Sequence, residues 1–582
     1  MSSPNSAPKW VPHPRRDQDR ALALARDLGA PVAVAHALVN RGVLDADAAR
    51  NFLDPGIEDL HDPFLLRDLD VAVARIQQAL SDGERIFVHG DYDVDGITST
   101  FLLSSVLRRL GTRVEVRIPH RTRDGYGLSV EAMNDAHRRG CSLVITVDCG
   151  VTAVEAVARG RELGLDTIIT DHHEPPAVLP AAVAIVNPRR SGCAYPFKEL
   201  AGVGVTFKLA EALLRGRGGR EQAREYLDVV ALGTIADVVP LVGENRVLAR
   251  LGLESLNRAP RIGLKALMEV SGLTGRAVTS RQVAFVLAPR INAGGRMGNA
   301  EQGLRLLEAR EPTEARDLAQ SLEDDNQLRR RYDEDALTEA AQRVRTELGW
   351  PNCSSILLWS DLWHPGVLGI VASRLVEQFH RPAVLVRLDG ERGRGSGRSV
   401  PGLDLNAVLA ECGDLLEAYG GHAFAAGLTV QRSRLPELRE RLERLVGERL
   451  PADARAPLPE IDADVTLADC DLGLVGWLER MSPHGLGNQE PLFQVADLTV
   501  DSVSTMGARD EQGQGRHLRL QVHDGTGSAE AVGFGLGTRA KEVGPAERHA
   551  LAFVPTRNEW RGKTHVQLKV REVDVVRQVA TP

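Results

Sequence analysis

The chain has 582 residues, with 71 lysines and arginines against 79 aspartates and glutamates, a formal charge of −8 and a pI near 6.1. At roughly 150 residues per domain this is about three to five domains, and 43% apolar with 26% charged residues is ordinary for a globular protein. Those figures exclude a disordered chain and a basic protein that coats nucleic acid, and the lack of any run of about 18 uncharged apolar residues argues against a membrane span.

Met1 to Arg16, rich in Pro and Ser and without an apolar stretch, reads as a flexible tail and not as a secretory signal. Ala21–Phe52 reads as two or three short helices broken at Gly29, Pro31 and Gly42. From Glu84 short apolar runs alternate with helical stretches. Strands are expected at Ile86–His89, Arg113–Ile118, Leu143–Val147, Thr167–Thr170 and Ala184–Val186, with helices at Thr98–Leu110, Ser129–Arg139 and Ala153–Leu163 between them. This alternation predicts an α/β fold built on a doubly wound parallel sheet. Helices follow at Val205–Leu214 and Glu221–Ile235. Pro312–Leu348 has helical composition, strong charge and no Gly or Pro between its ends, which predicts one long linking helix. A second α/β block covers about Ser354–Leu450, with apolar runs at Ile356–Trp359 and Ala383–Leu388 and helices after each. Ala452–Pro459 is a linker by composition. The alternating runs Leu498–Val503, His517–Val522, Glu530–Phe534, His549–Pro555 and His565–Val570 predict a small antiparallel barrel or sandwich.

Six cysteines, at 141, 149, 193, 353, 412 and 470, contain no C-x-x-C pair. Neither a zinc ribbon nor a disulfide framework is indicated, and their sparseness fits a reducing cytoplasm. Seven of the 71 basic residues are lysines, leaving 64 arginines. A GC-rich genome accounts for most of such a bias, and bidentate recognition of phosphate is the functional alternative.

The chemistry concentrates after three expected strands. His89-Gly90-Asp91-Tyr92-Asp93-Val94-Asp95-Gly96 places three aspartates at alternate positions. As a continuing strand they would crowd like charges on one face; as a loop at the strand's carboxyl end they can converge on a hard divalent cation. An EF-hand is excluded, because position 12 is Leu102 and a strand precedes the run. Asp148 and Asp171-His172-His173 follow the next two apolar runs, and Asp237 ends an apolar helix before Pro240. Open α/β sheets form their sites at the carboxyl ends of strands. Singly, such an Asp is usually a helix cap and such a His pair a surface feature. Together, mixed Asp and His ligands suit Mn²⁺ or Mg²⁺ better than structural zinc, and two such ions sharing a carboxylate can clamp a phosphoryl group.

These motifs resemble the DHH phosphoesterase superfamily and, within it, the RecJ single-strand exonucleases. Asp171-His172-His173 is the naming motif, and the Asp91–Gly96, Asp148 and Asp237 motifs stand in the family's order. Gly395–Ser399 and Gly420–Gly427 resemble the DHHA1 substrate-binding domain. Arg290–Gly298, Trp363–Ile370 and Pro483–Asn488 look specific to the RecJ kind. The resemblance implies an N-terminal tail with helices over 1–52, a DHH catalytic domain over 53–300, a linking helix over 301–350, a DHHA1 domain over 351–452 and an OB-like nucleic-acid-binding barrel over 453–582. It implies two Mn²⁺ or Mg²⁺ ions, one held by His89, Asp93 and Asp148 and the other by Asp95, Asp148, His172 and Asp237, with Asp148 bridging. His173 would face the phosphate, and Asp91 and Asp171 would stand behind the ligands and orient them. The implied reaction is metal-assisted hydrolysis that releases nucleotides from the 5′ end of single-stranded DNA. Glycine-rich turns at Gly395–Ser399 and Gly420–Gly421 would let backbone N–H groups approach the phosphate, helped by Ser373, Arg374, Ser396, Gly397, Arg398, Gly421 and His422. Arg290, Asn292 and Arg296 are candidates for the DNA path, with helix-cap or salt-bridge roles as the alternative. Phe534, Phe553 and Trp560 are candidates for base stacking on the barrel, against core positions.

The implied setting is recombinational repair in the cytoplasm beside a helicase and a single-strand-binding protein, away from any membrane. Two other readings are a phosphodiesterase for oligonucleotides or cyclic dinucleotides (or a manganese pyrophosphatase) and a non-catalytic replication scaffold. The long linking helix and barrel argue against the first, and the intact set of ligands against the second.

Overall fold

The five apolar runs between residues 85 and 186 lie side by side in one parallel sheet. The computed structural model describes residues 9–120, 125, 127–450, 458–509, 513–544, 548–560 and 562–575, with the backbone alone for Trp560 and Val575. The sheet order is Arg113–Arg117, Arg85–His89, Leu143–Val147, Asp166–Thr170, Ala184–Val186. Every residue of the central strand, Leu143–Val147, is buried, as a sheet covered on both faces requires. From Arg85–His89 the chain passes first to the neighbour on one side, Arg113–Arg117, and then to the other side, Leu143–Val147. That reversal opens a crevice at the strands' carboxyl ends, where doubly wound sheets bind their ligands. The expected tail up to Pro8 and the expected linker at 452–457 lie outside the described residues.

Helix Val94–Arg109 packs on this sheet beside Gly202–Leu213 and Leu227–Ala236, both buried almost throughout. Burial extends to polar residues there: Lys208 in Gly202–Leu213 is fully buried and pairs with Glu244 (2.7 Å). In place of the single helix expected over Glu221–Ile235, the chain forms Arg220–Ala223, a 3-10 turn at Arg224–Tyr226 and then Leu227–Ala236. Tyr226 (φ −104°, ψ 2°) sets the break as its ring turns inward to meet Phe101 edge-on.

The linking helix runs Pro312–Glu347, 36 residues, or about 54 Å at 1.5 Å per residue. Ala315, Leu318, Ala319 and Leu322 pack into the first core, whereas Ala336, Ala340, Ala341 and Val344 pack into a second. The second domain's five-stranded mixed sheet has the order Leu416–His422, Ala425–Gln431, Arg392–Arg398, Ala383–Asp389, Ile356–Ser360. The expected turns are therefore strands: Gly395–Arg398 lies inside this sheet, and Gly420–Gly421 in its edge strand. Close packing explains Gly395, where a Cβ would stand 3.0 Å from the side chains of both Val386 and Leu428, but not Gly420, where it would meet nothing within 4 Å.

Beyond residue 460 a closed sheet forms. Phe493–Arg509 pairs with both Gly515–His523 and Arg548–Trp560, and Lys563–Val575 joins Ser528–Gly533 to Arg548–Trp560. The three N-terminal helices, Gln18–Leu28, Val32–Asn40 and Ala46–Leu53, share this barrel's hydrophobic core. Buried Arg246 fastens the barrel to the catalytic domain by donating to the carbonyls of Phe52 (2.7 Å), Arg480 (3.1 Å), Met481 (2.8 Å) and Ser482 (3.1 Å). Phe553 belongs to the barrel core and is fully buried, so it is no stacking platform. Phe534 is 57% exposed, and the side chain of Trp560 is outside the described residues. Among the described residues no single helix is long and apolar enough to cross a membrane.

Candidate metal centre and active site

The acidic run after Arg85–His89 is partly a helix start. Asp93 is the N-cap of Val94–Arg109 and accepts from Gly96 N (3.0 Å), so Asp95 sits in the first helical turn and not in a loop. Gly96 is required there, because a Cβ would lie 2.6 Å from the Asp91 backbone nitrogen. Asp148, directly after Leu143–Val147, adopts φ 60°, a left-handed conformation that residues other than glycine rarely hold outside functional sites. Asp237 closes the C-terminus of Leu227–Ala236.

These elements bring the predicted ligands together. His172 Nε2 lies 3.2 Å from Asp148 Oδ1, 3.6 Å from Asp237 Oδ2 and 3.9 Å from Asp95 Oδ2. Ligand atoms of Asp95, His172 and Asp237 fall within 4.8 Å of one another, as do those of Asp91, Asp93 and Asp148, and those of Asp148, His172 and His173. Asp91, expected behind the ligands, has a carboxylate oxygen within 4.8 Å of those of Asp93 and Asp148. His89 is buried at its strand end with Nε2 3.2 Å from the Gly127 carbonyl, outside these three groups. Asp171 accepts from the backbone N–H of Val151 (2.9 Å), His172 (2.7 Å) and His173 (3.1 Å), and His173 Nδ1 is 2.7 Å from the same carboxylate. It therefore orients the His173 imidazole and fixes the backbone that carries both histidines.

The donor set fits hard divalent cations. Asp148 Oδ1, His172 Nε2 and Asp237 Oδ2 are buried without a hydrogen bond inside the protein. Burial, and then the neighbouring Asp93, push the Asp95 carboxyl up to about 7, against the pull of the Val203 and Gly202 N–H groups. Burial followed by the surrounding carboxylates raises Asp148 and Asp237 well above the usual range. Burial, with His173 next, lowers His172 to about 3, so its imidazole is neutral and able to ligate. Burial also works against charge on His173, but Asp171 outweighs it and the imidazole is shifted upward. Crowded carboxylates whose charge is this unfavourable alone are stabilised by cations placed among them.

A cavity of about 310 Å³ opens on the acids. Asp91, Asp93, Asp95 and Asp237 line it together with Asn292, Arg296 and, from the second domain, Arg398, which bring donors to it. Asn292 Oδ1 also accepts from Val94 N (3.1 Å), which anchors the helix carrying Asp95, and Arg296 donates to Gly366 O (2.9 Å) across the domain boundary. Arg290 differs from expectation. It is 6% exposed and paired with Glu323 of the linking helix (2.5 Å), so the salt-bridge alternative holds in this structure. Ser373 donates to Gly369 O, Arg374 pairs with Asp333, and Gly421 and His422 lie on the exposed edge strand; none of these four lines the cavity, nor do Ser396 and Gly397.

Sequence reading missed Gly202. Its N–H and that of Val203 donate to the two oxygens of Asp95 (2.7 and 2.8 Å) from the start of helix Gly202–Leu213, where the helix dipole favours an anion. A Cβ at Gly202 would stand 2.6 Å from Asp148 Cβ. The only signal was Gly202-Val203-Gly204 opening a helix rich in apolar residues. Gly202→Ala is expected to lower Mn²⁺ affinity and activity about 10- to 100-fold with circular dichroism unchanged; titration showing wild-type metal affinity would contradict this.

Residues 85–234 match the DHH family, N-terminal domain, residues 353–448 match the DHHA1 domain, and residues 461–572 match the RecJ OB domain. The single-stranded-DNA-specific exonuclease RecJ of Bacillus subtilis is 39% identical over 96% of this chain and 70% of its own length. The Escherichia coli protein of that name is 34% identical over 96% of this chain and 98% of its own length. The chain belongs to the RecJ family. The crystal structure of RecJ with Mn²⁺ from Thermus thermophilus superposes with a TM-score of 0.80 at 31% identity, covering 97% of this chain and 78% of that one. The same RecJ with Mg²⁺ gives 0.74 at 29% identity over 97% and 77%. A RecJ chain matched from end to end disfavours both the small-substrate phosphodiesterase and the non-catalytic scaffold.

Proposed function

We propose that the chain is a metal-dependent exonuclease that degrades single-stranded DNA from its 5′ end. The observation that carries this is the convergence of Asp93, Asp95, Asp148, His172 and Asp237 at the sheet's reversal, in a chain of RecJ organisation. Asp93 and Asp148, flanked by Asp91 and His89, are assigned to one ion, and Asp95, Asp148, His172 and Asp237 to the other, with Asp148 between them. When bound, Mn²⁺ or Mg²⁺ supplies the Lewis acidity for attack on the phosphodiester. His173, its Nδ1 turned to Asp171, presents Nε2 to the phosphate, stabilises the charge that builds there and donates a proton to the leaving oxygen. Asn292, Arg296 and Arg398 hold the scissile phosphate over the acids. Ser373, Ser396, Gly397, Gly421 and His422 are assigned to the strand's terminal phosphate, and exposed Phe534 to base stacking on the barrel.

The setting follows from the family resemblance. The enzyme acts in recombinational repair in the cytoplasm, a compartment that its six free cysteines suit. A helicase and a single-strand-binding protein deliver the unpaired strand. Purified protein given a long 5′-phosphorylated strand is expected to release mononucleotides with Mn²⁺ and none after EDTA, and to leave blunt duplex intact. Metal-dependent hydrolysis confined to dinucleotides would replace this reading with the small-substrate one.

A further inference from the structure

Between Leu322, the last linking-helix residue packed in the catalytic core, and Ala336, the first in the second core, the helix crosses from one domain to the other. The crossing spans roughly 20 Å at 1.5 Å per residue. A spacer would turn a solvated face outward and an apolar one inward. Here the buried face is polar: Asn326 is fully buried, Arg329 is 9% exposed and Asp333 is 6% exposed.

Their hydrogen bonding is incomplete. Arg329 Nη2 donates to Asn326 Oδ1 (2.9 Å). Arg329 Nη1 and Arg374 Nη1, the latter from helix Leu368–Phe379 of the second domain, converge on one oxygen, Asp333 Oδ2, at 4.0 and 3.1 Å. Asn326 Nδ2, Arg329 Nε and Asp333 Oδ1 are buried without a hydrogen-bond partner. One carboxylate thus serves two guanidinium groups, with Arg290 and Arg330 close enough to add to the positive potential. Buried donors left unpaired destabilise the fold, and native proteins retain them where a ligand or water completes the set. What the two unpaired donors lack is an anion with several acceptor oxygens, whereas Asp333 Oδ1, itself an acceptor, gains no partner from one. A phosphodiester is such an anion. Arg374, whose side chain is 42% exposed, gives that anion a way in from solvent. Beside the group, Tyr332 stacks on His364 with ring centroids 4.9 Å apart and planes 6° from parallel, and Tyr332 is 38% exposed. Arginine next to an exposed aromatic stack is the pattern that single-strand binders use.

We propose that this crossing of the linking helix is a phosphate subsite for the single strand: Arg329, Asn326 and, from the facing domain, Arg374 take one backbone phosphate, and Asp333 is the carboxylate that this phosphate displaces. The subsite rests on the single-strand reading given above. It makes the helix part of the DNA track, and it makes Asp333 a stand-in that holds the two arginines in place until the strand arrives.

The test is single-strand affinity of the full chain, measured in EDTA across a range of salt concentrations, with the thermal midpoint of each variant as the check on folding. Arg329→Gln and Arg374→Gln are each expected to weaken binding about tenfold and to reduce the salt slope by about 0.7, one phosphate contact on a single strand. Asp333→Asn is expected to act in the opposite direction, strengthening binding about three- to tenfold with little change in slope. A purely structural network would make all three variants weaker and less stable. Should Arg329→Gln fail to fold, Arg374→Gln and Asp333→Asn still decide. Unchanged slope in Arg374→Gln, or equal or weaker binding in Asp333→Asn, overturns the subsite. Those results in a wild-type protein that binds and cleaves single strands leave the exonuclease reading intact. A wild type that neither binds nor cleaves them removes both.

Discussion

Replacing Asp148 with asparagine should reduce nucleotide release at least about a thousandfold, or about 4 kcal/mol of barrier, while single-strand affinity stays within about threefold. Asp148 has 3.2 Å of separation from His172 and also shares a ligand group with Asp91 and Asp93, so it alone joins the two halves of the cluster. Its loss would leave neither ion fully held. The same change should make the ion-free protein more stable. Burial and then four neighbouring carboxylates drive the Asp148 carboxyl far above its ordinary range, and asparagine keeps the shape without the charge. A higher midpoint than wild type in EDTA, together with no further rise on adding Mn²⁺, is the paired signature. Activity above a few per cent of wild type would show that Asp148 does not join two ions.

The second large effect is on how stability depends on pH and metal. Asp95, Asp148 and Asp237 have folded-state values above those of the unfolded chain, Asp95 at about 7 and the other two well above the usual carboxylate range. The native protein therefore holds protons that the unfolded chain releases above about pH 4. The stability these groups contribute is complete below that pH and is lost as pH rises through the folded values. His173, also raised, adds a loss of the same sign. Asp171 is lowered, burial being outweighed by its bonds to His173, and its contribution disappears only in acid, below this window. His172, lowered to about 3, works in the opposite direction below its unfolded value of about 6.5, so ion-free protein should lose thermal stability chiefly from about pH 6.5 to pH 8. Mn²⁺ takes the place of those protons, so the rise in Tm that it produces should be small at pH 5.5 and largest at pH 8. Each fully linked carboxylate contributes about 1.4 kcal/mol per pH unit. A metal-induced rise that is flat or shrinks across this window would falsify the assignment of these carboxylates as the ligand set.

Much of the site was legible in the order of residues, because the acids and imidazoles follow directly on apolar runs that only a buried parallel sheet accommodates. Asp148 after Leu143–Val147 and His172 after Asp166–Thr170 needed no tertiary information beyond that rule. The extent of helix Val94–Arg109 was less legible. Asp-rich runs read as loop, yet Asp93 caps the helix and draws Asp95 into its first turn. The glycines at 395 and 420–421 read as turns for the same local reason. Inside a sheet, however, a missing Cβ also allows close approach of neighbouring strands, and local sequence does not distinguish the two uses.

The sequence by itself determined the periodicities: five parallel strands with their helices, a long linking helix, a run of barrel strands, and which chemical groups stand at the ends of strands. These are properties of neighbouring residues, set by side-chain alternation, chain stiffness and capping. Tertiary structure alone decided what touches at long range. It placed Gly202 against Asp148 and Asp95, set Arg290 on Glu323, and gave the N-terminal helices and the C-terminal barrel a single core. It also aimed Arg374 and Arg329 at one carboxylate across two domains. The physical reason is that burial and Coulomb interactions depend on distance in space, and a contact between residues far apart along the chain leaves no local pattern in it.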